Sequence, residues 1–356
     1  MKKGASTDAN GVVNEIGTIG KPNLGIDVAA SGGTHTQSSS DTTAQTTQIQ
    51  AGAIQVTARD EVHDRGTQYR ATDGGVSLRA DSHRFDTASD SRSSQSDDVN
   101  GGASLRIYTT TGKDIGGTAR GQGENRSSQA QHVTAQTGKV QAANGIDIQL
   151  GQEGRYQGTA LDGGRGKVQL NSGGDLRLDQ ATDSHSVSHA GYDAHARLSG
   201  DMSGSNSGSA ALGGGQDNGQ QSETQAHTAQ VRADGGVTLS SAGSLTLQGT
   251  EVSSQGDVTL KADEKLDLGQ ADSARRQQGS LWSGELSGGA SRGSSDSADS
   301  RGGSVGAKAK VAMQNEQQTT AQGARVSGAN VTLSAGAQDN DALHLQGRGS
   351  RGTMSR

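Results

Sequence analysis

Between Gly235 and Ser273 the chain reads GGVTLSSAGSLTLQGTEVSSQGDVTLKADEKLDLGQADS, and its large apolar residues fall in alternating pairs. Val237-Thr-Leu239, Leu245-Thr-Leu247, Val258-Thr-Leu260 and Leu266-Asp-Leu268 each set two apolar side chains around one polar residue. Period-two alternation predicts half-buried strands, because successive side chains of a strand face opposite ways. Within each half of the stretch the triplets start 8 residues apart, and equivalent triplets recur after 21. A unit of about 21 residues with two short strands is the size of one solenoid turn.

The pattern returns along the chain. Ile54 and Val62, Val140 and Ile148, and Val168 and Leu176 all repeat the 8-residue step. Val76 follows Ile54 by 22 residues and leads on to Phe85. A last copy holds Val331 and Leu343, with its connection about four residues longer than the others. A longer period lies on top: Val76, Val168 and Val258 are 92 and 90 residues apart, and Ala88, Ala181 and Ala271 are 93 and 90 apart. The chain therefore divides into a partial repeat with a polar excursion (1–48), three modules (49–135, 136–231, 232–325) and a final partial repeat (326–356). Each module is expected to hold two adjacent turns and then an excursion, at roughly 89–135, 182–230 and 272–325. GSLWSGELSGGAS and GGSVGAKAKVAMQNEQQTTAQ alternate weakly on either side of SRGSSDSADS, which predicts a long hairpin that leaves the turns and returns. YDAHARLSGDMSGSNSGSAALGGG repeats that arrangement, and NLGIDVAASGGTHTQSSSDTTAQTTQIQ carries it into the first third.

Energetics explain the need for repetition. Burying one Val or Leu yields about 1.5–3 kcal/mol, whereas ordering each residue's backbone costs about 1–2 kcal/mol. One turn cannot stand alone, so the paired triplets are expected to form a stacking core. Composition agrees: hydrophobic residues are 28% and aromatics 2% of 356 residues, while Gly numbers 56. That is too little bulky apolar material for an ordinary compact core, and leaves either a solenoid or a disordered chain. The fold class expected is all-β, a β-solenoid with long β-hairpin excursions.

Charge and candidate chemistry narrow the function. A net charge of −6 without a basic tract gives no footprint for nucleic acid or anionic lipid. Absence of Cys excludes disulfides and thiolate metal or redox sites. No apolar run approaches the roughly 20 residues of a membrane-spanning helix, and MKKGASTDANGVVNEIG lacks the apolar segment of a signal peptide. GRGSRG (Gly347–Gly352) has dinucleotide-loop spacing but no room for the helix and strand that make it work. GASRG (Gly289–Gly293) formally fits a nucleophile elbow around Ser291, without a strand-to-helix context. His185 and His189 share one side of a strand, and His195 would need a turn to join them as a third metal ligand. Asp-rich stretches such as TASDSRSSQSDD and GAQDND read as solvated corners, since the nonapeptide of calcium-binding β-rolls is absent. No catalytic, cofactor-binding or metal residues are assigned.

The Gly235–Ser273 stretch and the Gly/Ser excursion after it resemble the haemagglutinin repeats of filamentous haemagglutinin-like adhesins and contact-dependent growth inhibition exoproteins. The resemblance covers about 45–356 and is clearest over 136–345. It implies a right-handed parallel β-helix in a long fibre, exported by two-partner secretion through an outer-membrane transporter to the cell surface or medium. It also implies adhesion to host or bacterial receptors or glycans, and in the growth-inhibition members delivery of a C-terminal toxin. At its ends the chain departs from the family: KPNLG (Lys21–Gly25) is too isolated to stand for the export region's Asn-Pro motifs, and no toxin domain follows. The expected function is a non-enzymatic fibre scaffold and cell-contact surface. The alternatives are a β-helical carbohydrate-active enzyme or an orphaned repeat fragment.

Overall fold

A computed structural model describes residues 4–10, 24–109, 112–202, 205–295, 298–336 and 343–345, and among them there are strands and no helix. The short strands stack into three parallel ladders. In one, Ile54, Val76, Ile146, Val168, Val237, Val258 and Val331 lie in register on successive turns. Two residues on, Val56, Leu78, Ile148, Leu170, Leu239, Leu260 and Leu333 form a second inward row. A second ladder carries Val62, His83, Gly154, Leu176, Leu245, Leu266 and Leu343 in register. These rows make one continuous apolar core, in which Leu170, Leu178, Leu239, Leu247 and Leu260 are fully buried.

The third ladder was not anticipated. It runs Gln48–Ala51, Gln68–Ala71, Lys139–Ala142, Ala160–Asp162, Gln230–Ala233, Glu251–Ser254 and Arg325–Ser327. Each strand offers one large inward residue, aligned as Ile49, Tyr69, Val140, Leu161, Val231, Val252 and Val326. A turn therefore has three strands rather than two. This corrects one alignment: Val140 pairs with Leu161, while Ile146 and Ile148 pair with Val168 and Leu170. The 8-residue step from Val140 to Ile148 crosses a different corner from the step between Val168 and Leu176.

Corners and excursions alternate. Gly66, Gly158 and Gly249 close the first, third and fifth turns with φ of 60°, 58° and 59°, a left-handed conformation that side chains disfavour. After the second, fourth and sixth turns the chain leaves instead as a long arm. Ala88–Thr109 pairs antiparallel with Gly116–Gln136, Ala181–Asp201 with Ser205–His227, and Leu266–Ser295 with Ala298–Gly323. Ala88, Ala181 and Ala271, the alanines of the long period, are the buried feet of these arms. A Cβ added at Gly66, Gly158 or Gly249 would lie 3.0, 2.7 or 2.4 Å from those alanine methyls. The long period thus marks where a corner glycine packs on an arm's foot.

Candidate contact surface

The arms pair with one another as well as within their hairpins. Gly116–Gln136 joins Ala181–Asp201, and Ser205–His227 joins Leu266–Ser295. The Leu24–Thr42 strand adds to Ala88–Thr109 on one side and carries Gly4–Asn10 on its other. The result is one antiparallel sheet beside the turns, not a set of separate hairpins.

Register sorts its residues into two unlike faces. On one face lie, row by row from the tips, Ile26-Ile107-Gly117-Gly200-Gly208, then Val28-Leu105-Ala119-Leu198-Ala210-Gly288-Val305. Ala30-Ala103-Gly121-Ala196-Leu212-Leu286-Ala307 follows, and further down Thr34-Val99-Asn125-Tyr192-Gln216-Trp282-Val311. These side chains are not covered: Leu198 is 58%, Leu212 63%, Leu286 65% and Val305 91% exposed. Among the described residues, the exposed large apolar side chains lie on this sheet or its tips, apart from Ile49, Val331 and Leu333 at the two ends of the stack.

The opposite face is polar. His185, His189 and His195 all project there from the straight Ala181–Asp201 strand, so no turn intervenes. Six residues of strand separate His189 from His195 by about 20 Å, too far to share an ion. Each has its own neighbours instead: His185 stacks edge-on with His132 at 5.5 Å, His189 lies 3.7 Å from Asp217, and His195 lies 3.6 Å from Glu285. The His189 and His195 rings occupy space that a Cβ at Gly219 or Gly213 would fill, at 2.1 and 2.6 Å. No group of three or more metal-ligating side chains occurs among the described residues. Ser291 sits within the Leu266–Ser295 strand opposite Ser207 and Gly302, without an elbow. TASDSRSSQSDD, expected as a corner, runs into the Ala88–Thr109 strand, where Asp90 accepts hydrogen bonds from Ala44 N–H and the Gln136 amide. GRGSRG, and GAQDND beyond Gly336, fall outside the described residues.

One polar cluster was not foreseen. Asp64 and His83 occupy inward ladder positions that Leu fills from the fourth turn on, as Leu178 and Leu176. His83 Nε2 donates to Asp64 Oδ2 at 3.0 Å, Tyr69 Oη donates to both Asp64 oxygens at 3.0 Å, and His83 Nδ1 and Tyr156 Oη are hydrogen-bonded at 3.0 Å. Burial alone would raise the Asp64 pKa, but bonds from His83, Thr67 and Tyr69 and the His83 charge hold it below the ordinary value. Burial, and then the Asp64 charge, push Tyr69 and Tyr156 up, so both stay protonated. His83 is 1% and Tyr156 0% exposed. The acid–imidazole–phenol chain therefore has no access to a substrate, and it satisfies buried polar groups inside the stack. Its signal in the sequence is a polar residue at a ladder position, as at Asp64 in EVHDR and His83 in SHRFD.

Comparison with known proteins gives these repeats a family. The family described as Hemagglutinin repeat matches residues 28–196 and 186–284. A protein named Hemolysin from Serratia marcescens is 45% identical over 349 residues, 97% of this chain and 22% of that protein. Another named Hemolysin, from Proteus mirabilis, is 31% identical over 348 residues, again 97% of this chain and 22% of the relative. The chain thus spans about a fifth of the length of these curated relatives. No solved structure matches it. With the repeat matched over most of its length, the chain belongs to the haemagglutinin-repeat family.

Proposed function

We propose that the chain is a right-handed parallel β-helix segment of an exported exoprotein, a non-enzymatic scaffold that holds its hairpin sheet out as a contact surface for a target cell. The modules 49–135, 136–231 and 232–325 are its building units. The observation that carries this reading is the division of apolar residues. One set fills the ladder interior, and a second set is displayed on the sheet, where it adds nothing to the core. The name of the two relatives, Hemolysin, supports a target with a membrane. An outer-membrane transporter of the two-partner type serves export, and receptors or glycans on host or bacterial cells are the first partners to consider. Toxin delivery of the growth-inhibition kind belongs to the same proposal, and nucleic acid has no place in it. Among the described residues nothing favours a carbohydrate-cleaving enzyme, since the Asp64–His83 pair is shut inside the stack.

The test is an immunoblot of fractionated producing cells with antibody raised to residues 136–345. A product much longer than this chain, at the surface or in the medium and retained inside when the transporter is deleted, supports the proposal. A product confined to the cytosol with or without the transporter overturns it.

A further inference from the structure

The displayed apolar face has the dimensions and rim chemistry of a lipid contact, and we propose that it docks on a phospholipid bilayer, with the acyl chains as its ligand. This rests on the contact-surface reading above and names the partner. From Val99 to Ile107, and from Val305 to Val311 and Met313, the uncovered side chains run along one face for about 27 Å at 3.4 Å per residue. Across the strands from Leu24–Thr42 to Ala298–Gly323 the face extends about 29 Å at 4.8 Å per strand. The face so outlined covers about 800 Å², and uncovered apolar side chains spread over a face of that size mark protein or membrane contacts.

Four observations select a bilayer. The five rows from Ile26 to Thr34 hold no Asp, Glu, Lys or Arg on this face. Aromatics sit at one margin, where Tyr192 and Trp282 share a row with Asn125 and Gln216 and the next row turns polar with Asp97, Ser127 and Asn218. Such amphipathic rings favour the headgroup level. At the tip margin Arg292 and Arg301 stand opposite each other on the same face, ten residues from Trp282. That separation is about 34 Å, so the apolar rows lie between two polar margins, and cations at the tip margin complement lipid phosphate. The row Gly32-Gly101-Gly123-Ala194-Gly214-Gly284-Ala309 makes a smooth trough between ridges of Leu and Trp. Fluid chains conform to that relief, whereas a rigid protein partner must match it knob for knob.

The chain supplies its own probe, because Trp282 is its one tryptophan and lies on this face. Full-length chain is mixed with phosphatidylcholine vesicles, floated on a density gradient, and its emission recorded with and without brominated acyl chains. Binding, a blue shift and bromine quenching are expected. The double variant Leu212→Asp with Leu286→Asp should lower the bound fraction about tenfold or more, as charges on lipid-facing strands do. Ser199→Asp, on the polar face, should leave it unchanged. Both variants are outside the core, so their denaturation curves should match the parent. Cooperative unfolding without vesicle binding overturns the bilayer inference alone, and lack of cooperative unfolding sinks the scaffold reading with it. Self-association in lipid-free buffer that the double variant abolishes, with no vesicle binding, assigns the face to a second copy and likewise overturns the inference.

Discussion

Replacing Leu260 by Asp tests the stack where inside and outside are one residue apart. Leu260 is fully buried, in register with Leu239 on the turn before and Leu333 on the turn after. Losing its burial costs about 1.5–3 kcal/mol. The carboxyl must then be neutralised, at about 4 kcal/mol for a group of ordinary pKa 3.9 at pH 7, or stay charged in an apolar site at a comparable penalty. The expected loss is therefore roughly 5–7 kcal/mol, a large part of the 5–15 kcal/mol that holds a typical domain together. Thr259 faces outward in a row with Thr238 and Thr332, so Asp there should change stability by only about 0.5 kcal/mol. Urea titration followed by far-UV circular dichroism reads both. Equal midpoints for Leu260→Asp and Thr259→Asp would refute the inward–outward assignment of the ladder.

Gly158→Val should lower the thermal midpoint, since φ is 58° and a Cβ would meet the Ala181 methyl at 2.7 Å; Gly121→Ala, with open space around it, should not. Gly138→Ala would drive a methyl into the Phe85 ring at 1.9 Å, so it should destabilise by about 1–3 kcal/mol, and Phe85→Leu in the same chain should recover part of that loss. The folded Asp64 pKa lies below its unfolded value, so its contribution is present above about pH 4 and lost as pH falls through the lowered value. Asp64→Asn should accordingly flatten the acid limb of a stability–pH profile measured by urea midpoints, and an unchanged limb would show the network carries no such term.

Legibility in the sequence followed the size of the signal. Val-x-Leu and Leu-x-Leu put two large residues inside a strand, so those two ladders could be read in advance apart from Val140, and the last copy, Val331 and Leu343, stacks on Val258 and Leu266. The third ladder offers only QVRA, EVSS or KVQA, in which one Val and a small residue face inward, so its period-two signal is too faint to separate from a loop. Two arms were legible as hairpins because YDAHARLSG and SAALGGG, or GSLWSGELS and GAKAKVAMQ, alternate. The Ala88–Gln136 hairpin was read only as an excursion, and the hairpin expected within NLGIDVAASGGTHTQSSSDTTAQTTQIQ is instead a single strand, Leu24–Thr42. The joining of the arms into one sheet was not legible. Register between arms is set where they leave the stack, by residues far apart in sequence, such as Val133 opposite Ser184. The Asp64–His83–Tyr156 chain escaped notice for a related reason. A polar residue at a core position looks like a broken pattern until its partners on neighbouring turns are known.

The joining of the arms explains why there is one excursion for every two turns. Neighbouring turns of a parallel ladder are about 4.8 Å apart, so two turns advance the stack by about 9.6 Å. A two-stranded hairpin is also about 9.6 Å wide, two strands at the same spacing. Hairpins rooted two turns apart therefore abut edge to edge, and their outer strands fall within hydrogen-bonding distance along nearly their whole length, as Gly116–Gln136 and Ala181–Asp201 do. One hairpin per turn would overcrowd the sheet, and one per three turns would leave each hairpin isolated. An isolated two-stranded hairpin is marginal in water, and these arms are rich in Gly, which weakens strands further. The period of about 90 residues is thus the shortest spacing at which poor strand formers gain a continuous sheet from the turns beneath them. The same geometry frees the arm residues beyond their buried feet from any duty in the core, which leaves their apolar face available for a partner outside the molecule.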